Sequence, residues 1–219
     1  MARGIADRER RAEIGRLRRA RTRARIIAAA FDMFGAENGL YARIEDVAQA
    51  AGITRATFYD HFSGMAELRE AVTFEVTHDF LSAVTRTVTR LADARERASA
   101  AIRFFLHRVR QVPGWGWSLI NLSANGVIFG AETQREAELS VQAGIDSGVF
   151  DLPDALVGRD LVLGGTLAAI ATMVREDVAG DYPERVAAAI LRGLGTDAAA
   201  AHAVATRALP PLLEEWPAA

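Results

Sequence analysis

The sequence predicts an all-α protein, a short helical unit followed by a helical bundle, on three observations. Apolar residues recur at three- and four-residue steps along most of the 219 residues. No run of alternating β-branched residues is bounded by hairpin dipeptides. Pro113, Gly114, Gly148, Pro153, Gly180 and Pro183 punctuate the long periodic stretches of the second half.

From Thr22 to Glu37, the residues Ile26, Ile27, Ala30, Phe31 and Phe34 share one helix face, and Gly39 follows as a stop signal. A shorter stripe of Ile44, Val47, Ala48 and Ala51 closes at Gly52. The next helix opens at Thr54, an N-cap residue type, and carries Phe58 and Phe62 four apart. Ser63 is a candidate cap for a longer helix through Leu68, Val72, Val76, Phe80, Val84 and Val88, ending near Leu91. Further helices are expected at 93–111, 115–128, 131–147, 154–178 and 183–195. TDAAAAHAVATRAL after Gly195 predicts one more, and PPLLEEWPAA is a tail in which Leu212, Leu213 and Trp216 are placed to dock on the body. The uncharged segment from Gln111 to Ala131 is long enough to cross a bilayer, but it holds Pro113, four glycines, Asn121 and Asn125 and therefore reads as a buried helix between turns. The uncharged run from Leu161 to Val174 is too short to span and reads as a core or interface helix, so no membrane partner is expected.

Composition excludes several chemistries. Without cysteine there is no disulfide scaffold, thiolate metal site or cysteine nucleophile. The four histidines, His61, His78, His107 and His202, lack metal-ligand spacing, and neither GWGW at 114–117 nor GLG at 193–195 has the strand and lysine of a phosphate loop. Gly-x-Ser-x-Gly is absent, and nothing in the sequence pairs carboxylates for acid–base work. The expectation is a protein that is not an enzyme and holds no metal or cofactor. The opening MARGIADRER is charged and lacks an apolar run, so the default location is the cytoplasm.

The near-neutral total conceals an asymmetry. Residues 1–25 hold ten arginines against Asp7, Glu9 and Glu13, a net of +7, whereas the other 194 residues carry −9. A basic arm on an acidic body points to a nucleic-acid partner that the whole-chain balance hides. All basic side chains are arginines, which suggests a compositional bias of the source genome.

The segment Ile44–Phe62, IEDVAQAAGITRATFYDHF, has the form of a helix-turn-helix unit. Ala48 is small where two helices cross, Gly52 suits a turn that needs positive φ, and Ile53 plugs the space beneath it. With Phe58 and Phe62 inward, Arg55, Ala56, Thr57, Tyr59, Asp60 and His61 face mostly outward, the kind of surface that reads a DNA major groove.

The block from Arg23 to Leu68, about a fifth of the chain, resembles the DNA-binding domain of the tetracycline-repressor (TetR) family. Ala29, Ala30, Phe34, Gly39, Val47, Ala48, Ala51, Gly52, Ile53, Thr54, Thr57, Tyr59, His61, Phe62 and Leu68 carry the match. The resemblance implies an all-α fold with an N-terminal three-helix helix-turn-helix DNA-binding domain followed by a helical-bundle ligand-binding and dimerisation domain. The expected limits are an Arg-rich arm at 1–21, the DNA-binding domain at 22–66 and the second domain at 67–219. Three positions depart from the family's pattern. Ala42 and Arg43 stand where Thr or Ser usually caps the first motif helix, so the cap is weaker or Arg43 is aimed at phosphate instead. Met65 replaces a lysine that touches the DNA backbone. Ala56 replaces glycine and stiffens the recognition helix.

For this family the expected ligands of the chain are double-stranded operator DNA and a small molecule of unstated identity, bound by a homodimer that acts as a repressor. Thr54, Arg55, Thr57, Tyr59 and His61 are the expected operator contacts, with Arg55 on a guanine edge and Tyr59 on a phosphate; the charge on His61 would add a mild pH dependence. Arg18, Arg19, Arg21 and Arg23 are expected to replace the missing phosphate contacts, along the backbone or in the minor groove. The expected ligand pocket comprises Phe104, His107, Trp117, Asn121, Asn125, Phe129 and Met173, although packing alone accounts for part of any such set. Leu161–Val174 with Val186, Ile190 and Leu194 are the expected dimer faces. A regulator governed by a protein partner remains the alternative, and a ligand-sized cavity with a polar spot would oppose it.

Overall fold

The computed structural model describes residues 2–124, 126 and 128–213, and it is all-α, with no strand among those residues. Helix α1 spans Ala2–Phe34, α2 Ile44–Ala50, α3 Arg55–Tyr59, α4 Met65–Val88, α5 Ala94–Gln111, α6 Pro113–Ser123, α7 Gly130–Asp146, α8 Ala155–Met173, α9 Tyr182–Gly193 and α10 Ala198–Ala205, with a 3-10 turn at Gly39–Tyr41.

The expected arm and first helix are one continuous helix of 33 residues. The stretch before Thr22 contains no proline and is rich in arginine and alanine, both good helix formers, so nothing interrupts the backbone ladder. It ends at Phe34, three residues before the expected limit. In the head formed by α1–α3, Ile26, Ala30, Phe34, Val47 and Phe58 are fully buried, and Phe62 nearly so. Gly52 adopts φ 61°, a left-handed turn conformation open to glycine at little cost. Thr54 caps α3 through its side chain, which accepts from the Thr57 amide at 3.1 Å. Ser63 does not cap α4 with its hydroxyl; its amide instead donates to Glu67 Oε2 at 2.7 Å.

In the body, α5 is central and touches α4 and each of α6 to α10. Asp93, Asp154 and Asp197 cap α5, α8 and α10 through their carboxylates. Pro113 opens α6 at a position where its missing N–H costs nothing, so that helix begins before the expected residue 115 and ends at Ser123 rather than 128. Helix α8 ends at Met173 rather than 178. Arg103, with 7% of its side chain exposed, meets Glu184 at 3.1 Å and donates to the Arg207 carbonyl at 2.7 Å, joining α5 to α9 and to the end of α10. Burial pushes the Glu184 carboxyl up, but its own amide, Arg103 and His107 outweigh this and hold it below the usual range. In the tail, Leu209 and Leu212 pack on the core, and the Leu213 amide donates to Thr87 Oγ1 at 3.2 Å; Trp216 lies outside the described residues.

Helix α8 is long and apolar enough, by length and composition, to cross a membrane. Leu163, Ala169 and Ile170 are buried against the body, while Leu156, Val157 and Leu161 toward the start of the helix are exposed. On α9, Ile190 and Leu194 are buried within the protomer, which removes them from the expected dimer face.

The end of α1 is tied to the body at a joint with α6 and α4. Asn121 of α6 donates through Nδ2 to the carbonyls of Phe34, at 2.9 Å, and Ala36, at 2.8 Å, where α1 ends. Arg69 of α4 donates to the Asn121 carbonyl at 2.8 Å and to the Leu40 carbonyl at 2.9 Å, with its guanidinium 4.6 Å from the centre of the Phe34 ring. Gly39 lies inside this joint: a Cβ there would sit 2.4 Å from the Met33 carbonyl oxygen and 2.7 Å from Phe34 Cα, backbone atoms that cannot swing aside. Gly39→Ala is therefore expected to destabilise the protein by about 1–3 kcal/mol, as overpacking does. Chemical denaturation would check this, and an unchanged midpoint would contradict it.

Candidate functional site

Two sites emerge, one on the outer face of the head and one inside the body. On the head, Arg55 and Tyr59 are exposed one turn apart on α3. Arg55 contacts the Tyr59 hydroxyl at 3.4 Å, lies over the Tyr59 ring at 5.6 Å and pairs with Glu45 of α2 at 2.8 Å. Both ion-pair partners are more than half exposed, so the pair is weak and can open toward another anion. Thr54 and Thr57 share a hydroxyl contact of 3.0 Å at the start of α3. Arg43 is exposed and precedes α2, and its amide donates to Asp46 Oδ2 at 3.0 Å. The carboxylate three residues on thus supplies the capping contact, which leaves the Arg43 guanidinium uninvolved in it.

His61 behaves differently from its outward neighbours. It is half-buried, its Nδ1 has no hydrogen-bond partner, and burial first and the Arg19 guanidinium second hold the imidazole below its ordinary range. Its charge change is therefore displaced to lower pH than that of an exposed imidazole.

The arginines of α1 divide into two groups. Arg19 donates to the Asp60 carbonyl at 2.6 Å at the end of α3, Arg25 donates to the carbonyls of Ala51 and Gly52 in the turn, and Arg23 sits 4.6 Å from the centre of the Phe62 ring. These three hold the reading helix and its turn against α1. Arg18 and Arg21 are exposed on the same helix. Periodicity alone does not separate the two groups, because the partners, backbone carbonyls and the Phe62 ring, lie about 26 to 41 residues away.

The second site is an apolar cavity of about 420 Å³ between α4, α5, α7 and α8, within the range of small-molecule pockets. Val84 and Val88 line it from α4, Ala98, Ala101 and Phe105 from α5, Thr133 and Ala137 from α7, and Val162 and Thr166 from α8. Of the expected pocket residues that are described, only Phe129 lines it. Phe104 is buried in the core, His107 contacts Glu184 at 3.3 Å, and Trp117 lies under the Arg175 guanidinium at 4.5 Å. Asn121 is spent on the joint to the head, Met173 is half-buried at the end of α8 away from the cavity lining, and Asn125 lies outside the described residues. The uncharged segment serves the joint through Asn121 and reaches the pocket through Phe129. Facing small residues such as Ala98, Ala101 and Ala137 are the sequence signal that was available: small side chains on opposed helices leave space.

Phe129 is shared with a wider cleft of about 1030 Å³ that lies between α1, α4 and the start of α7. It is buried and left-handed at φ 58°, unusual for a bulky residue, and its amide donates to Ser123 Oγ at 3.2 Å. At the edge of that cleft His78 contacts Glu132 at 2.9 Å, and this hydrogen bond raises the histidine's pKa.

Two family models match the chain: bacterial regulatory proteins of the tetR family over residues 26–72, and the tetracyclin repressor-like C-terminal domain over residues 93–207. The HTH-type transcriptional activator FasR of Mycolicibacterium smegmatis is 27% identical over 137 residues, 63% of this chain and 61% of that protein, so the match leaves more than a third of FasR uncovered. The HTH-type transcriptional regulator SrpR of Pseudomonas putida is 43% identical over 51 residues, 23% of this chain and 24% of that protein. Among solved structures, RolR in complex with resorcinol superposes with a TM-score of 0.74 at 26% identity, covering 90% of this chain and 98% of that one. The fatty acid degradation regulator FadR of Bacillus halodurans, at 19% identity and a TM-score of 0.59, covers 78% of this chain and 93% of its own and shares the fold. With the reading head, the helical body and both family models in agreement, the chain belongs to the TetR family of transcriptional regulators.

Proposed function

We propose that the protein is a homodimeric repressor that binds a palindromic operator and leaves it when a small molecule fills the cavity between α4, α5, α7 and α8. The observation that carries this reading is the position of α6, which supports the end of α1 through Asn121 and reaches the cavity wall through the contact of Ser123 with the Phe129 amide. A ligand that displaces Phe129 would pull on the helix that holds the head. The shift requires a ligand that favours one head position over the other, since equal affinity for both moves nothing. The resorcinol complex of RolR supports a small organic effector.

Dimerisation is supported by Leu156, Val157 and Leu161 of α8, large apolar side chains left exposed in the protomer. A two-fold axis there would set the two α3 helices about one DNA turn apart, roughly 34 Å. In this reading Arg55 reads a base edge, Tyr59, Thr54, Thr57 and Arg43 meet phosphates, and Arg18 and Arg21 extend the electrostatic contact along the backbone. Arg19 and Arg23 act indirectly by holding α3, and His61 packs behind it. The ligand-sized cavity argues against control by a protein partner alone. The relation to FasR, named as an activator, favours a second reading with activation in place of repression.

Sequencing of DNA captured with the protein from its host is the test of the operator. A recurrent palindrome with half-sites one helical turn apart is expected, with transcription of the adjacent gene rising on deletion of the regulator. A fall on deletion would establish the activator reading, and capture with no recurrent motif would refute operator binding. Arg55→Ala is expected to weaken operator binding about tenfold or more and to relax the preference at one base pair; equal losses across a panel of altered operators would exclude base reading by this residue. Arg18→Ala with Arg21→Ala should flatten the salt dependence of binding while leaving the melting temperature in place, and Arg19→Ala should lower the melting temperature of the head. An unaltered salt slope in the double variant would remove both residues from the interface.

A further inference from the structure

Among the described residues of the cavity wall, one side-chain polar atom is fully buried without a hydrogen-bond partner. Thr133 is 5% exposed, lines the cavity, and its buried Oγ1 has no hydrogen-bond partner. Other buried helical threonines satisfy themselves locally: Thr77 donates to the Thr73 carbonyl at 2.8 Å, Thr87 to Ala83 at 2.7 Å and Thr166 to Val162 at 2.6 Å, each four residues back. For Thr133 the residue four back is Phe129, which precedes α7 in the left-handed conformation, φ 58° and ψ 8°, and the equivalent bond is not made. Nothing then fixes its rotamer, and threonine in a helix has two accessible ones. A buried hydroxyl left unpaired costs free energy that a partner inside the cavity would recover.

The charged residues of the wall offer an ionic ligand little. Arg97 gives its Nη1 to the Leu91 and Ala92 carbonyls, both at 2.9 Å, and Glu136 is 3.7 Å from Arg135, so both charged groups of the wall have partners within the protein. Most of the remaining lining is aliphatic or aromatic, with exposed Leu139 where the cavity meets solvent.

We propose that Thr133 is the specificity-determining anchor of this cavity, and that the effector is an uncharged, mainly apolar molecule whose one hydroxyl or carbonyl group bonds Thr133 Oγ1. This rests on the reading of the cavity as the ligand site, and the experiment separates the two. Three probes of one shape, 4-tert-butylphenol, tert-butylbenzene and 4-tert-butylbenzoate, are titrated calorimetrically into the full-length protein and its variants. The phenol should bind roughly tenfold more tightly than the hydrocarbon, the value of one hydrogen bond, and the benzoate most weakly. Thr133→Val, which keeps the shape and removes the hydroxyl, should bring phenol and hydrocarbon to parity without lowering the melting temperature, and Thr133→Ser should restore the preference. Ala137→Phe or Ala101→Phe, which fill the cavity, should abolish binding of both.

Parity in the wild type, a phenol preference that survives Thr133→Val, or tightest binding of the benzoate would overturn the role of Thr133 while leaving the cavity as the site. Failure of the wild type to bind phenol or hydrocarbon, or binding that survives both cavity-filling substitutions, would overturn the cavity reading and the anchor with it.

Discussion

Asn121 supplies the contact on which the relation between head and body depends. The final carbonyls of a helix have no partner within it, and α1 ends inside the protein rather than in water. One side-chain amide from α6 satisfies two of the carbonyls there, Phe34 and Ala36, and Arg69 takes the Asn121 and Leu40 carbonyls beside them. Gly39 is the spatial counterpart of this arrangement, since the turn passes too close to Met33 and Phe34 to admit a side chain. Because a buried carbonyl without a donor costs about 1–3 kcal/mol, the end of α1 and the body hold their relative position together.

The arginines express a second constraint. A chain without lysine has to use guanidinium groups for both structure and recognition, and the arginines of α1 divide these uses among them. Arg19 and Arg25 reach backbone carbonyls of α3 and its preceding turn, and Arg23 covers Phe62. Planar guanidinium groups suit such carbonyl and ring contacts better than ammonium groups. In the proposed reading, the exposed Arg18 and Arg21 remain for the phosphates, so the basic segment both braces the reading helix and draws it to DNA.

The helices were legible in the sequence because apolar spacing, aspartate and threonine caps and glycine turns are local signals. Ile26, Phe34, Val47, Phe58 and Phe62 were readable as the head core for that reason, and they are buried. The continuity of α1 was less legible, since a charged helix with no apolar stripe resembles a disconnected arm. The cavity was not readable from the uncharged segment: lack of charge signals burial, and burial is equally consistent with a joint. Asn121 shows the difference, being a polar residue in an apolar stretch whose donors serve backbone rather than ligand. Ile190 and Leu194 were misassigned to the dimer face because an amphipathic helix has the same pattern whichever partner covers it, and here the partner is the protomer's own body. Thr133 had no sequence signal, since its unpaired hydroxyl depends on the conformation of Phe129 four residues earlier.

Native-state hydrogen exchange on Asn121→Ala, resolved by residue, tests the coupling most directly. Loss of the two donors should lower the protection of amides in α1 beyond Ile26 and in α2 and α3, while α5 and α9 keep theirs. Protection of the head equal to that of the wild type, or an equal loss in head and body, would contradict the claim that this joint holds the reading head.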